Sequence, residues 1–316
     1  MNITRSILLL IATISLGGCG FLNDEQNVQQ DTDSKEAEAI HETDNTYVKV
    51  QDYTGNGYNL NNSNQKNKDI ALENKHEVEK GVKDYFLSLY KSEVIVHNLV
   101  AADDAVTVFV ESKEEPNYNT YAIVPIDLTN ETVLTDEIWT QEGQVENAIA
   151  SGLYAMIYRE RFSELDELIR TFVKDNPVVG TTEEAKNNVS GSGHETVYYR
   201  VSVFSDYVLS LTDEYLSNPD YSGEDWKNYF DVEKLNPKEI TFAIELFMAD
   251  EEASPSQEIL DKLVTTIEEA TNLPPGEYNI ILNDNYVHAA SFSGSKGEPL
   301  ERAIPNPIYK LDSTLR

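Results

Sequence analysis

Val94-Ile95-Val96-His97-Asn98-Leu99-Val100, then Ala102-Asp103-Asp104, then Val106-Thr107-Val108-Phe109-Val110: two β-rich runs stand either side of a short acidic turn. Side chains alternate across an extended chain, so Val106, Val108 and Val110 share one face of a strand. Tyr121-Ala122-Ile123-Val124-Pro125-Ile126 supplies a third strand, in which Pro125 lacks a ladder donor and belongs at an edge or a bulge. Ahead of these runs Val78, Val82, Tyr85, Phe86 and Leu89 recur at intervals of three and four, one face of a helix over roughly Asp69 to Lys91. A core-facing helix followed by an antiparallel meander is the simplest assembly, and it places the chain in the α+β class.

The remaining elements also come in blocks. Tyr47 to Tyr58 alternates like an extended segment and ends in the Gly55-Asn56-Gly57 turn, and Asn61 to Lys68 is a polar loop. Val145, Ile149, Leu153, Met156 and Ile157 trace a helical stripe. Ser163-Glu164-Leu165-Asp166 has the spacing of a capping box and opens a second helix that stops before Pro177. Thr182 to Gly193 reads as a polar loop and sets an internal boundary near 182–193; Val197 to Phe204 reads as a strand and Ser205 to Leu216 as a helix. Ile240, Phe242, Ile244, Leu246 and Met248 alternate as a strand. Ser254-Pro255-Ser256-Gln257 then starts a helix capped by Ser254, with Ile259, Leu260, Leu263, Val264 and Ile267 buried and Pro274-Pro275-Gly276 as its stop. Tyr278 to Leu282 and Tyr286 to Ala290 read as strands joined at Asn283-Asp284-Asn285. Helix, strand, strand echoes Asp69 to Val110, without shared sequence. The expected body is α+β, antiparallel strand meanders packed with helices in one compact domain or two closely joined lobes, over 46–292 with a C-terminal tail at 293–316.

The N-terminus reads as a targeting signal. Arg5 precedes Ile7-Leu8-Leu9-Leu10-Ile11-Ala12-Thr13-Ile14, and small residues follow up to Cys19, the one cysteine of the chain. The apolar run is about half of the roughly 20 residues that a spanning helix needs. Leu16-Gly17-Gly18-Cys19 resembles the lipobox of bacterial lipoproteins, in which the chain is cut between the residues matching Gly18 and Cys19 and the thiol receives a diacylglyceryl group. Residues 1–18 are then the signal peptide, and Cys19 is the lipid attachment point; two acyl chains hold a protein on a membrane where one does so marginally.

The sequence has 24 Lys+Arg against 56 Asp+Glu, a net charge of -32, and losing residues 1–18 removes Arg5 and leaves 23 against 56, or -33. Such a body repels phosphate backbones and is a poor nucleic-acid partner. It also repels anionic headgroups. Gly20 to Asn45 suits a spacer, with Asp24, Glu25, Asp31, Asp33, Glu36, Glu38, Glu42 and Asp44 against Lys35 alone. A flexible chain of this length spans about 30 Å, well beyond the screening length of about 8 Å at physiological salt. Residues 19–45 are therefore read as a lipidated acidic tether.

Val48-Lys49-Val50-Gln51-Asp52-Tyr53-Thr54-Gly55, Val106 to Ser112, Tyr121 to Ile126, and Glu142-Gly143-Gln144-Val145-Glu146-Asn147-Ala148-Ile149 with Gly152-Leu153-Tyr154-Ala155-Met156-Ile157 resemble a family of uncharacterised lipoproteins of staphylococci and bacilli, domain of unknown function 1672. The resemblance runs from the lipobox to about Asn285, and Gly143 to Ile157 is its most specific part. It implies an envelope location and a single family-wide body. The family has no assigned activity, so no catalytic or ligand residue carries over.

The residues themselves offer little catalysis. His41, His76, His97, His194 and His288 are scattered without a pair at metal-ligand spacing, and no cysteine remains for zinc. Gly191-Ser192-Gly193-His194 sets a hydroxyl beside an imidazole without the strand-to-helix frame of a nucleophile elbow. Ser88 to Lys91 and Ser293 to Lys296 match a Ser-x-x-Lys pattern with no Lys-Thr-Gly partner, and Asp31-Thr32-Asp33 and Asn283-Asp284-Asn285 lack the 12-residue calcium loop. Neither catalytic residues nor a metal or cofactor are assigned. Tyr53 and Tyr58 beside Gly55 and Gly57, with Trp139 ahead of the Gly143 helix, are the candidate ligand surface, since aromatic faces suit carbohydrate or peptide. The sequence thus points to a lipoprotein on the outer face of a Gram-positive cell membrane. Its leading role is a non-catalytic interaction or accessory module contacting an envelope protein or a wall polymer. A solute-binding lipoprotein of a transporter and a cell-wall-acting hydrolase are the alternatives.

Overall fold

The computed structural model describes residues 46–60, 62–191 and 193–312. Cys19, the Gly18–Cys19 cleavage point, the tether Gly20 to Asn45 and Ser192 lie outside the described residues. From β1 (Tyr47–Lys49) the chain passes through the Gly55–Gly57 loop into α1 (Gln65–Glu73) and α2 (Lys75–Tyr90), where periodicity predicts one continuous helix. Asn74 makes the break: its backbone N–H and its side-chain amide both donate to Ile70 O, at 3.1 and 2.9 Å. Such local side-chain bonds compete with the next helical turn. The buried face of α2 is Val78, Val82, Phe86 and Tyr90, whereas Leu89, predicted to join it, is exposed. One residue of helix rotates a side chain by about 100°, which carries Leu89 off the stripe that Tyr90 completes.

β2 (Val94–Ala101), β3 (Ala105–Ser112), β4 (Asn119–Asp127) and β5 (Thr132–Val133) form an antiparallel sheet in that order. The register sets Val108 between Leu99 and Ala122, and His97 is the extra residue of a bulge in β2. Val106, Val108, Val110, Ala122 and Val124 join α1 and α2 in the main core. Ile123 exchanges backbone bonds of 2.8 and 3.1 Å with Trp139, and the Pro125 carbonyl accepts from Leu134 N at 2.9 Å. The missing N–H of Pro125 therefore faces the interrupted outer side of β4, the edge position that proline requires.

α3 (Gln144–Ile157) is buried almost all round, the mark of a central helix. α4 (Arg159–Asp175) follows after Tyr158 alone, so Ser163 lies inside the helix and not at its cap. After β6 (Val178–Val179), the stretch 182–193 is not simply a loop. Thr182 accepts from Ala185 N at 3.0 Å and caps α5 (Glu183–Val189), which buries Ala185 and Val189. β7 (Tyr199–Val203), α6 (Asp206–Ser217) and α7 (Gly223–Tyr229) lead to β8 (Ile240–Met248). α8 (Gln257–Glu269) is capped by Ser256, whose hydroxyl accepts from Ile259 N, and not by Ser254.

β9 (Gly276–Asn283) returns parallel to β8, with Phe242 opposite Tyr278 and their rings stacked at 4.4 Å. The other ladders among the described strands are antiparallel, and the α+β class stands. β7 and β6 line the far side of β8. Along the free side of β9 run β11 (Leu300–Arg302) and β12 (Ile308–Lys310), so the stretch read as a tail is part of the sheet. With that edge taken, β10 (Tyr286–His288) pairs with β1 instead of β9. Asn285 turns the chain outward, its buried amide donating to Met248 O at 2.6 Å and Gln51 Oε1 at 2.8 Å. The echo of Asp69 to Val110 ends here, since β2 and β3 pair with each other and β9 and β10 do not. Val50, Tyr53, Ala185, Val189, Phe247 and Val287 make a second, smaller core beside this ladder.

Candidate functional site

Of the three aromatic candidates, two share a surface and one does not. Tyr53 is 1% exposed, stacks on Phe292 at 5.2 Å and donates its hydroxyl to Ala289 O at 2.7 Å. It is a packing residue of the small core. Beyond it the chain is held by Thr182 Oγ1 donating to Tyr53 O at 2.7 Å and Asn188 Nδ2 donating to Thr54 O at 2.8 Å. Gly55 has φ +90, and a Cβ there would lie 2.9 Å from that of Asn188, so glycine alone fits.

This loop lays Tyr58 on the side of the first sheet opposite the valines. Its ring meets Phe109 edge-on at 5.9 Å, and Phe109 lies 5.9 Å from Tyr121, its cross-strand partner. Two residues further along β4, Ile123 bridges to Trp139, which is 48% exposed. Tyr58, Phe109, Tyr121, Ile123 and Trp139 thus cross the strands as one row. Burial raises the pKa of the Tyr58 and Tyr121 hydroxyls, so both remain protonated donors at neutral pH, and Tyr121 donates to Gln141 Oε1 at 2.9 Å. The sequence reading missed Phe109 and Tyr121. The available signal was parity: Phe109 alternates with the valines of its strand and so points away from their core.

The other end of this face is polar and covered by α5. His97 Nε2 lies 3.1 Å from Glu111 Oε2, and Lys186 Nζ lies 2.9 Å from Glu183 Oε2. The bond from His97, aided by the Lys186 charge, holds the Glu111 carboxyl below its usual range. Asn98 Nδ2 donates to Asn188 O at 2.9 Å.

The pairings considered for catalysis are explained by local structure. Lys91 ends α2 in the left-handed region and donates to Ser88 O at 2.8 Å. Ser293 Oγ lies 2.7 Å from Ser291 Oγ, and Lys296 Nζ stands 5.5 Å over the Tyr286 ring. Asp284 accepts from Tyr286 N and Gly297 N, so its carboxylate oxygens serve a turn. Among the described residues no three His, Cys, Asp or Glu converge as metal ligands, and no helix is long and apolar enough to cross a membrane. A concavity of about 580 Å³ is an open trough between α4 and α8, with Leu168 and Phe172 beside Glu164, Glu167 and Asp175.

A family model described as "Protein of unknown function (DUF1672)" matches residues 40–310. A crystal structure at 1.80 Å resolution of a DUF1672 family protein from Staphylococcus aureus subsp. aureus Mu50 is similar in fold, with a TM-score of 0.69 and 16% sequence identity. The likeness covers 84% of this chain and 99% of that one. No curated protein matches the chain.

Proposed function

The chain belongs to the DUF1672 family, whose function is unknown, and we propose that it is a non-catalytic, lipid-anchored interaction module of the outer face of the cell membrane. Its anchor is Cys19, its spacer Gly20 to Asn45, and its contact surface the row from Tyr58 to Trp139. The observation that carries the contact surface is the half-exposed Trp139 at the end of a row of large side chains on one face of a sheet. Large, stiff aromatic side chains contribute much of the binding energy at interfaces for little lost freedom. The partner is an envelope protein or a wall polymer. What favours this reading over a solute-binding or hydrolytic one is that the described residues fall in one compact unit and the concavity between α4 and α8 is an open trough rather than a cleft between lobes.

The test places a photo-crosslinking amino acid at Trp139 and, as a control, at Leu87, an exposed side chain of α2, in intact cells. Capture of one defined partner from position 139 and none from 87 is the expected outcome; equal capture from both refutes the surface. The anchor is tested separately. Cys19→Ala abolishes acyl labelling and leaves uncleaved precursor or released protein, and unchanged labelling overturns it.

A further inference from the structure

A small polar cavity of about 180 Å³ lies at the joint of α3 and α4, sharing no residue with the aromatic row. The segment 115–117 between β3 and β4, the two helices and His194 build it together. Gly152 lets the segment pack this closely on α3: a Cβ there would stand 2.9 Å from Asn117 O. The His194 backbone N–H donates to Ser151 Oγ at 2.7 Å, and the Phe162 ring meets the imidazole edge-on at 5.2 Å. His194 Nδ1 is 3.1 Å from Asn117 O. A carbonyl only accepts, so Nδ1 carries the proton and Nε2 of the neutral ring is an acceptor. Burial pushes the imidazole below its usual range and favours that neutral form. Asp166 accepts from Tyr199 Oη at 2.7 Å through Oδ1, which leaves Oδ2 for another donor. Ser163 lines the same wall, and Arg159, half exposed and paired with Glu115, stands at the rim.

This donor and acceptor set has a definite complement. Nε2, the Asp166 carboxylate and the Ser163 hydroxyl accept, matching the three N–H donors of a primary ammonium group. The guanidinium of Arg159 gives one donor, Nη2, to Glu115 and has its remaining N–H groups to offer a ligand carboxylate at the rim. The cavity is small, about 180 Å³, and suits a ligand in the size class of glycine, alanine or serine. We propose that this cavity binds a small α-amino acid, its ammonium group held by Asp166 and His194 and its carboxylate by Arg159. The site goes beyond the interaction reading. Its size and its place within one compact unit suit an effector rather than a transported cargo.

The test is isothermal titration calorimetry of the full chain in detergent, with alanine and with its two halves, acetate and ethylamine. Alanine is expected to bind at least about tenfold tighter than either half. Asp166→Asn, which keeps an oxygen for Tyr199, and Arg159→Gln, at a half-exposed position, are each expected to weaken alanine binding about tenfold while circular dichroism shows the wild-type fold. If Asp166→Asn does not fold, Arg159→Gln alone decides. No binding of alanine up to about 10 mM, acetate binding as tightly as alanine, or wild-type affinity in the folded variants overturns the proposal.

Discussion

Removing one hydroxyl from Tyr278 tests how the parallel crossover is held. Tyr278 is fully buried in β9 and donates to Pro274 O at 2.7 Å; Tyr154, equally buried in α3, donates to Pro275 O at 2.6 Å. These carbonyls end the connection from α8, and Gly276 begins β9 where a Cβ would press to 2.7 Å from the Phe242 ring. Two donors from separate elements thus pin the segment that sets the register of β9 on β8. Tyr278→Phe keeps the ring stacked on Phe242 and deletes only the donor. The stranded, buried Pro274 carbonyl costs about 1–3 kcal/mol, partly offset because the hydroxyl itself no longer needs desolvation, for a net loss of about 1–2 kcal/mol. For a chain of this size that is a fall of roughly 2–8 °C in melting temperature. Tyr154→Phe should cost a similar amount. The double variant should lose less than the two singles together, by about 0.5–1 kcal/mol, because both bonds restrain one short segment. Urea titration followed by circular dichroism measures all three, with an unchanged slope showing that the same surface unfolds. A Tyr278→Phe midpoint at or above wild type refutes the clamp.

Three further outcomes follow from charge and burial. Three of the 24 Lys+Arg and eight of the 56 Asp+Glu lie outside residues 46–312, leaving 21 against 48, so self-repulsion should weaken the fold at low salt; melting temperature should rise between 0.01 and about 0.3 M sodium chloride as screening shortens, and a flat response contradicts this. The pKa of His194 is lower in the folded chain than its unfolded value of 6.5, so the unfolded chain binds the proton first and stability falls as pH drops from about 6.5 toward the folded value; the slope is at most about 1.4 kcal/mol per pH unit, and His194→Gln, measured by urea titration, should flatten it. The Glu111 contribution has the opposite origin, a depressed carboxyl, and is lost only below about pH 4.5, which separates it from the first. Mild proteolysis of the full chain should clip within Gly20 to Asn45 before the body, and equal resistance of the two would show that segment to be folded.

Most element types were legible in the sequence because helix and strand periods are local. The alternation of Ile240 to Met248, the i+4 series on α2 and the stop at Pro274-Pro275-Gly276 need no partner to be recognised, and the α+β class follows from them. The signal-like N-terminus, the Leu16–Cys19 motif and the acid-rich Gly20 to Asn45 are likewise read from composition and order alone. Errors of detail came where two local signals competed: Asn74 against helix continuation, Ser254 against Ser256, and a polar run at 182–193 that carries enough buried surface in Ala185 and Val189 to fold.

Pairing was decided by the tertiary structure. β10 and β9 are neighbours in sequence and look like a hairpin, yet the free edge of β9 is filled by residues 300–310, and β10 crosses to β1, more than two hundred residues earlier. No periodicity encodes a choice among edges; it is settled by which pairing buries Val287 with Val50 and Phe247 and satisfies the Asn285 amide. The same holds for the sites. Tyr53 and Tyr58 are five residues apart, but one is sealed in a core and the other lies on the open face with Trp139, because the glycine turn between them reverses direction against a helix and a sheet brought from elsewhere in the chain. Residues 115, 159, 166 and 194 meet at one cavity only after two helices and two loops pack, and that convergence is a property of the packed layers that no stretch of the sequence contains.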